Sequence, residues 1–262
     1  MGKTWIGAAC CVLLAVACAQ SPTGHPQLLL VSDAEMAQMG VASFDDVKRE
    51  TPPTTDKALS AYVECIANAI TREAAPNTRW EVVVFQSDDV NAFALPGGKI
   101  GVYTGILKAA QDQDELATVL GHEVAHVIAK HGNARVSAAL AAQTGVQLTA
   151  AAVGGSAGPN REVAGLLGLG TELGVLLPYS REQETEADEL GLQYMANAGF
   201  QPKAAVELWQ NMQRIAGDKM PTFLSTHPSN AARIADIGAK VPAATRRYEA
   251  ARQAGKTPQC RR

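Results

Sequence analysis

Residues 114–132, DELATVLGHEVAHVIAKHG, constrain this chain more tightly than any other stretch. Leu116, Val119, Leu120, Val124, Val127 and Ile128 recur at helical spacing and define an arc that has to be buried. Asp112, with Glu115 three residues on, supplies a plausible capping start. His122 and His126 stand four apart, so they lie one turn from each other on one face, beside that arc. Two imidazoles so placed can share one Zn²⁺, and Glu123 sits next to the first of them, within reach of a water at the metal. This is the H-E-x-x-H arrangement, in which the histidines bind zinc and the Glu is general base.

The same stretch also says what it lacks. His131 follows His126 by five residues, about 140° round a continuous helix, so it is expected to point elsewhere. The extension that adds a third histidine needs Gly three residues and His six residues after the second histidine. Ala129 and Gly132 stand there instead. A third ligand must come from another part of the chain.

Tyr179 to Gly191, YSREQETEADELG, is the candidate source. An acidic run of this kind is ordinarily a solvated helix face. Glu184 and Asp188 are nevertheless four apart, which suits one metal ligand and one carboxylate bonded to a ligating imidazole. Two His and one Glu leave the fourth position of zinc open, the catalytic arrangement.

The remaining chain supplies a mostly helical frame. Ser32 and Glu35 form a capping box ahead of a helix running to Glu50. Pro52 and Pro53 precede an amphipathic helix through Leu59, Tyr62, Val63, Ile66 and Ile70. Residues 80–86, WEVVVFQ, form a strand, and 91–107 a hairpin turned at Pro96-Gly97-Gly98. From Gln111 onward the pattern is almost wholly helical. Residues 154–170 are rich in Gly and suit either a loop with a small-residue helix or a flap near the site. The net charge is −3 with mixed signs, so nothing suggests a nucleic-acid partner or a polybasic membrane patch.

Residues 1–17 have the organisation of a targeting signal, with Lys3 followed by an apolar run from Ile6 to Ala17 too short to span a bilayer. AVAC, ending at Cys18, resembles a bacterial lipoprotein lipobox, which implies cleavage before Cys18 and a lipid on its thiol. Ala19 in place of Asp implies outer-membrane sorting. Residues 18–27 are then expected as a linker and 28–262 as a single domain. Export would remove Cys10 and Cys11 and lipidate Cys18, leaving Cys65 and Cys260 as a disulfide pair in an oxidising compartment.

GHEVAHVIAKH, YSREQETEAD and STHPSNAARI, in this order, resemble the HtpX and CAAX-prenyl-protease type family of zinc metallopeptidases, and within it the soluble periplasmic lipoprotein branch. The likeness runs from about Leu28 to Ile237. It implies an α+β, mostly helical, zincin-like (gluzincin) domain with a small β-sheet ahead of the zinc helix. One Zn²⁺ per chain would be held by His122, His126 and Glu184, with Glu123 as base and Asp188 behind the ligands. Pro228 disfavours helix at His227, which places that residue on a loop at a helix start. By resemblance His227 stabilises the oxyanion or binds zinc in a resting form, while Arg233 orients it or the substrate. Tyr179 is a weaker electrophile candidate. Asn91, Ala92 and Phe93 are expected as a strand edge that pairs with an extended substrate. The implied function is an endopeptidase acting on misfolded, unfolded or stalled envelope proteins at the periplasmic face of the outer membrane, with the outer-membrane assembly machinery as a partner. The competing class is a zinc-stabilised chaperone or scaffold with little proteolysis.

Overall fold

A computed structural model describes residues 18–152, 179–216, 221–228 and 230–262, without the side chains of Cys18 and 143–152. The expected targeting signal and the Gly-rich stretch 154–170 lie outside these residues. The chain runs β1 (Cys18–Gln20), β2 (Pro26–Leu28), α1 (Asp33–Glu50), α2 (Lys57–Ala74), β3 (Glu81–Phe85), β4 (Ala92–Leu95) and β5 (Lys99–Tyr103). It continues through α3 (Gln113–Ile128), α4 (His131–Ala152), α5 (Arg181–Asn197), α6 (Ala204–Ile215), α7 (Thr222–Thr226) and α8 (Ala231–Gln253). Among the described residues, no helix is long and apolar enough to cross a membrane.

Local chemistry sets the boundaries. Ser32 caps α1 in a complete capping box with Glu35, and Asp112 caps α3 by accepting from the Asp114 and Glu115 amides. Asn230 caps α8 by accepting from the Arg233 amide. The hairpin β4–β5 turns through Gly97 and Gly98, both at positive φ. β3 joins β5 in parallel, so the sheet order is β3-β5-β4 and β4 is an edge strand.

The core lies between this sheet and the helices. Leu116, Val119, Leu120 and Val124 of α3 are fully buried, against Ile66 and Ile70 of α2 and Leu192 and Met195 of α5. Cys260 joins the same cluster and is disulfide-bonded to Cys65, with the two Cα atoms 5.7 Å apart. Helices α3 and α5 cross at Gly121 and Gly191. A methyl group on Gly191 would stand 2.8 Å from the His122 amide nitrogen. Only glycine allows so close an approach, and it brings the acidic face of α5 onto the histidine face of α3.

Two features differ from the sequence expectation. Residues 18–27 are a paired hairpin, with Cys18 opposite Leu28, and not a linker. Its turn is closed by Ser21 and His25, and Gln27 Nε2 donates to the Ala129 carbonyl at 3.1 Å, so the segment is docked by its polar groups. Second, α3 stops at Ile128. Lys130 takes φ 58, and His131 opens a new helix. The turn of about 140° that would point His131 elsewhere holds only for one continuous helix, which this is not.

Candidate metal centre

His122, Glu123 and His126 of α3 are buried, as are Glu184 and Asp188 of α5 and His227 between α7 and α8. His227 ends α7, its amide bonded to the Phe223 carbonyl, four residues before α8 begins. Burial of this many ionisable groups is costly unless they are paired or hold an ion.

The donors converge. His122 Nε2 lies 3.0 Å from His126 Nε2, 3.1 Å from His227 Nδ1 and 3.5 Å from Glu184 Oε2. Glu184 Oε1 lies 3.4 Å from His126 Nε2 and 2.9 Å from His227 Nδ1. One ligand atom from each of these four residues falls within 4.8 Å of the others. Tetrahedral donors about 2.0–2.1 Å from a common ion stand roughly 3.3–3.4 Å apart, so the observed spacings fit a single zinc. Glu123 Oε1 is buried without an aligned hydrogen bond, an expensive state that a nearby cation would relieve. Nitrogen and carboxylate donors in this number suit zinc.

The surrounding groups hold the donors. Asp188 Oδ1 lies 3.0 Å from His122 Nδ1, the nitrogen turned away from the cluster. Arg233 grips Asp188 through Nε and Nη2, both at 2.8 Å, and its Nη1 lies 2.6 Å from Glu184 Oε2. The guanidinium also covers the Trp209 ring at 4.0 Å and donates to the Pro228 carbonyl at 3.0 Å. Arg233 is thus spent on the two carboxylates and on the loop after His227. Its contact with the Pro228 carbonyl links it to the residue that follows His227. Tyr179 stacks on the His126 ring at 3.9 Å and directs its hydroxyl toward Arg135.

Electrostatics follow the packing. Burial opposes charge on His122, but Glu184 and Asp188 overcome it and raise its pKa to about 9. His126 is driven down by burial. Burial also works against ionised Glu184, yet His122 and His227 hold it below the usual carboxylate range. Glu123 goes the other way: burial raises it, despite His227 and His122 nearby. The two carboxylates therefore part: Glu184 is held ionised beside the histidines, and Glu123 is shifted toward its protonated form.

The strand edge reaches this centre. A narrow cleft is lined by Asn91 to Leu95 of the edge, with Glu123, Tyr179 and His227. The Asn91 carbonyl accepts from the Tyr103 amide, and β4 pairs antiparallel with β5. Alternation then spends the backbone of Asn91, Phe93 and Leu95 on β5 and turns that of Ala92 and Ala94 to the outer edge, where the Ala92 amide donates to Asn91 Oδ1 at 3.0 Å. The Ala94 amide meets the Glu123 carboxylate. The edge groups are Ala92 and Ala94, displacing Asn91 and Phe93 from the expected set. The Phe93 side chain packs with Phe44, Phe85 and Tyr103 on the far side.

Sequence reasoning set aside His131, which is buried here with Nδ1 2.9 Å from His126 Nδ1 and Nε2 3.2 Å from Glu186 Oε2. The usable signal was Lys130-His131-Gly132, a poor continuation for a buried helix.

Comparison with known proteins agrees with this geometry. Mitochondrial metalloendopeptidase OMA1 of Schizosaccharomyces pombe is 40% identical over 63% of this chain and 48% of its own length. OMA1 of Arabidopsis thaliana is 34% identical over 76% of this chain and 40% of its own. The beta-barrel assembly-enhancing protease of Escherichia coli K12 is 27% identical over 79% of this chain and 44% of its own. The chain thus spans less than half the length of these relatives. The profile of Peptidase family M48 matches residues 53–241. That match covers most of the chain and every residue of the buried cluster, and the chain belongs to peptidase family M48, the family of these metalloendopeptidases.

Proposed function

We propose that this protein is a zinc-dependent endopeptidase of the bacterial cell envelope, anchored by a lipid on Cys18 at the periplasmic side of the outer membrane. Its substrates would be misfolded or stalled envelope proteins. The observation that carries the peptidase reading is Glu123, buried beside the four-donor group and facing an edge strand across a cleft. AVAC before the β1 hairpin supports the anchor, and the relative named for β-barrel assembly supports envelope quality control and contact with assembly machinery. The closeness to the periplasmic lipoprotein branch rests on the same two features.

In this reading His122, His126 and Glu184 hold the ion. When bound, zinc supplies Lewis acidity to the scissile carbonyl and to water. An extended substrate adds to the outer edge of β4 at Ala92 and Ala94, taking the place of Asn91 Oδ1 on the Ala92 amide and of the Glu123 carboxylate on the Ala94 amide. Glu123 takes a proton from water and returns it to the leaving amine, a role favoured by its raised pKa. His227, with Nε2 3.4 Å from Glu123 Oε1, would serve as the oxyanion partner in this reading.

The competing scaffold reading draws on one observation: His227 Nδ1 sits inside the donor group and would close the shell, as in structural sites. The purified protein, lipid-free from Ala19, should contain one zinc and cleave casein, and a chelator should stop it. Stoichiometric zinc with no cleavage of casein or of any unfolded envelope protein would favour the scaffold. His227→Ala should keep zinc, because three ligands remain, while changing the cleavage rate. Loss of zinc in that variant would make His227 a required ligand.

A further inference from the structure

The innermost metal donors are explained by the peptidase reading, but the chain of polar groups behind His126 is not. His126 turns Nε2 toward the donor group, 3.4 Å from Glu184 Oε1, so as a ligand it carries its hydrogen on Nδ1. That nitrogen stands 2.9 Å from His131 Nδ1, which must then accept. His131 in turn carries its hydrogen on Nε2, 3.2 Å from Glu186 Oε2. The other carboxylate oxygen, Oε1, accepts from the Thr23 amide at 3.1 Å and from the Thr23 hydroxyl at 2.7 Å. Every donor in this series meets one acceptor, and all run one way, from the ligand to a carboxylate. His131 and Glu186 are both buried, and only the Thr23 end of the series meets solvent.

The N-terminal segment fastens the far end. Beyond Thr23, Gln27 Nε2 bonds the Ala129 carbonyl, Asn133 Nδ2 bonds the Val31 carbonyl, and Ser137 Oγ accepts from the Leu30 amide. Lys130 pairs with Asp33 at 2.7 Å. These contacts bracket the break between α3 and α4, the feature that swings His131 toward His126.

We infer that His131 and Glu186 are positioning residues for the metal centre: a His126–His131–Glu186 series, closed by Thr23 of the N-terminal hairpin, fixes the tautomer and orientation of His126. A carboxylate at the end of such a series makes the ligating imidazole more basic and holds its ring in place. The hairpin after Cys18 is then a working support of the metal centre and not only a tether. The inference rests on the peptidase reading's assignment of His126 as a ligand.

Zinc affinity, measured by competition with a chromophoric chelator, and the visible spectrum of the Co²⁺-loaded protein test it without reference to cleavage. His131→Leu should weaken zinc by about 10–100-fold and alter the Co²⁺ spectrum. His131→Asn, whose Oδ1 can take the place of Nδ1 as acceptor, should recover most of the affinity. Parent affinity and spectrum in His131→Leu would overturn the inference, and so would an Asn variant no better than Leu. If His131→Leu does not fold, Glu186→Gln, which keeps volume and an acceptor but loses the charge, should still weaken zinc by about tenfold. Unchanged affinity there overturns the inference as well. A parent protein that binds no zinc would instead overturn the ligand assignment itself.

Discussion

Gly191→Ala probes the crossing that assembles the site. The added methyl would lie 2.8 Å from the His122 amide nitrogen and 3.0 Å from both His122 Cα and Gly121 C. All three are backbone atoms of α3, so no rotamer change can relieve the clash. Carbon atoms in contact prefer about 3.5–4.0 Å, so the helices must part by roughly 0.5–1 Å. Overpacking of this kind costs about 1–3 kcal/mol. At about 2–4 °C per kcal/mol for a chain of this size, the melting temperature should fall by roughly 2–12 °C. The same movement carries Glu184 and Asp188 away from His122 and His126, and a metal constellation tolerates only about 0.5 Å of error. Zinc affinity should therefore fall more than a simple loss of stability explains. The assays are thermal unfolding by circular dichroism and chelator competition on the folded protein. Gly238→Ala is the control, since its methyl would meet only Val206 Cγ2 at 3.9 Å. Parent melting temperature and parent zinc affinity in Gly191→Ala would refute the reasoning.

Two further perturbations separate ligand from frame. Glu184→Gln removes the anionic donor and should reduce zinc content measured by elemental analysis, whereas unchanged zinc would require another ligand. Glu81 lies between Lys48 and Lys99, which hold its carboxyl below the ordinary value of 4.5. A depressed carboxylate stabilises the fold above the unfolded value and loses that contribution as pH falls through the folded one. Glu81→Gln should thus cost up to about 1 kcal/mol at neutral pH, since the pair is partly solvated. In urea titrations the difference should shrink toward zero near pH 3 or below, and a gap that persists in acid would contradict the pairing.

Much of the site is legible in the sequence because its information is local. Four-residue spacing at His122 and His126, and again at Glu184 and Asp188, projects each pair onto one helix face whatever the tertiary context. Capping residues Ser32 and Asp112 declare helix starts by their own chemistry. What escapes depends on contacts between distant segments. The break at Lys130 is bracketed by contacts from Gln27 to Ala129 and from Lys130 to Asp33, and in a continuous helix His131 would point elsewhere. The parallel pairing of β3 with β5 decides which strand is the edge, and register decides that Ala92 and Ala94 face it. Arg233 is visible as a charge near His227, but only the fold shows it spent on Asp188 and Glu184.

The central claim is that Glu123 performs proton transfer beside a metal held by other residues. The most direct measurement is the rate of casein cleavage by zinc-loaded Glu123→Gln, with zinc content read on the same sample. Positioned acid–base groups contribute about 10²–10⁴-fold, so the account predicts full zinc and a rate lower by at least about 10². A zinc-loaded Glu123→Gln protein that cleaves casein as fast as the parent would contradict it.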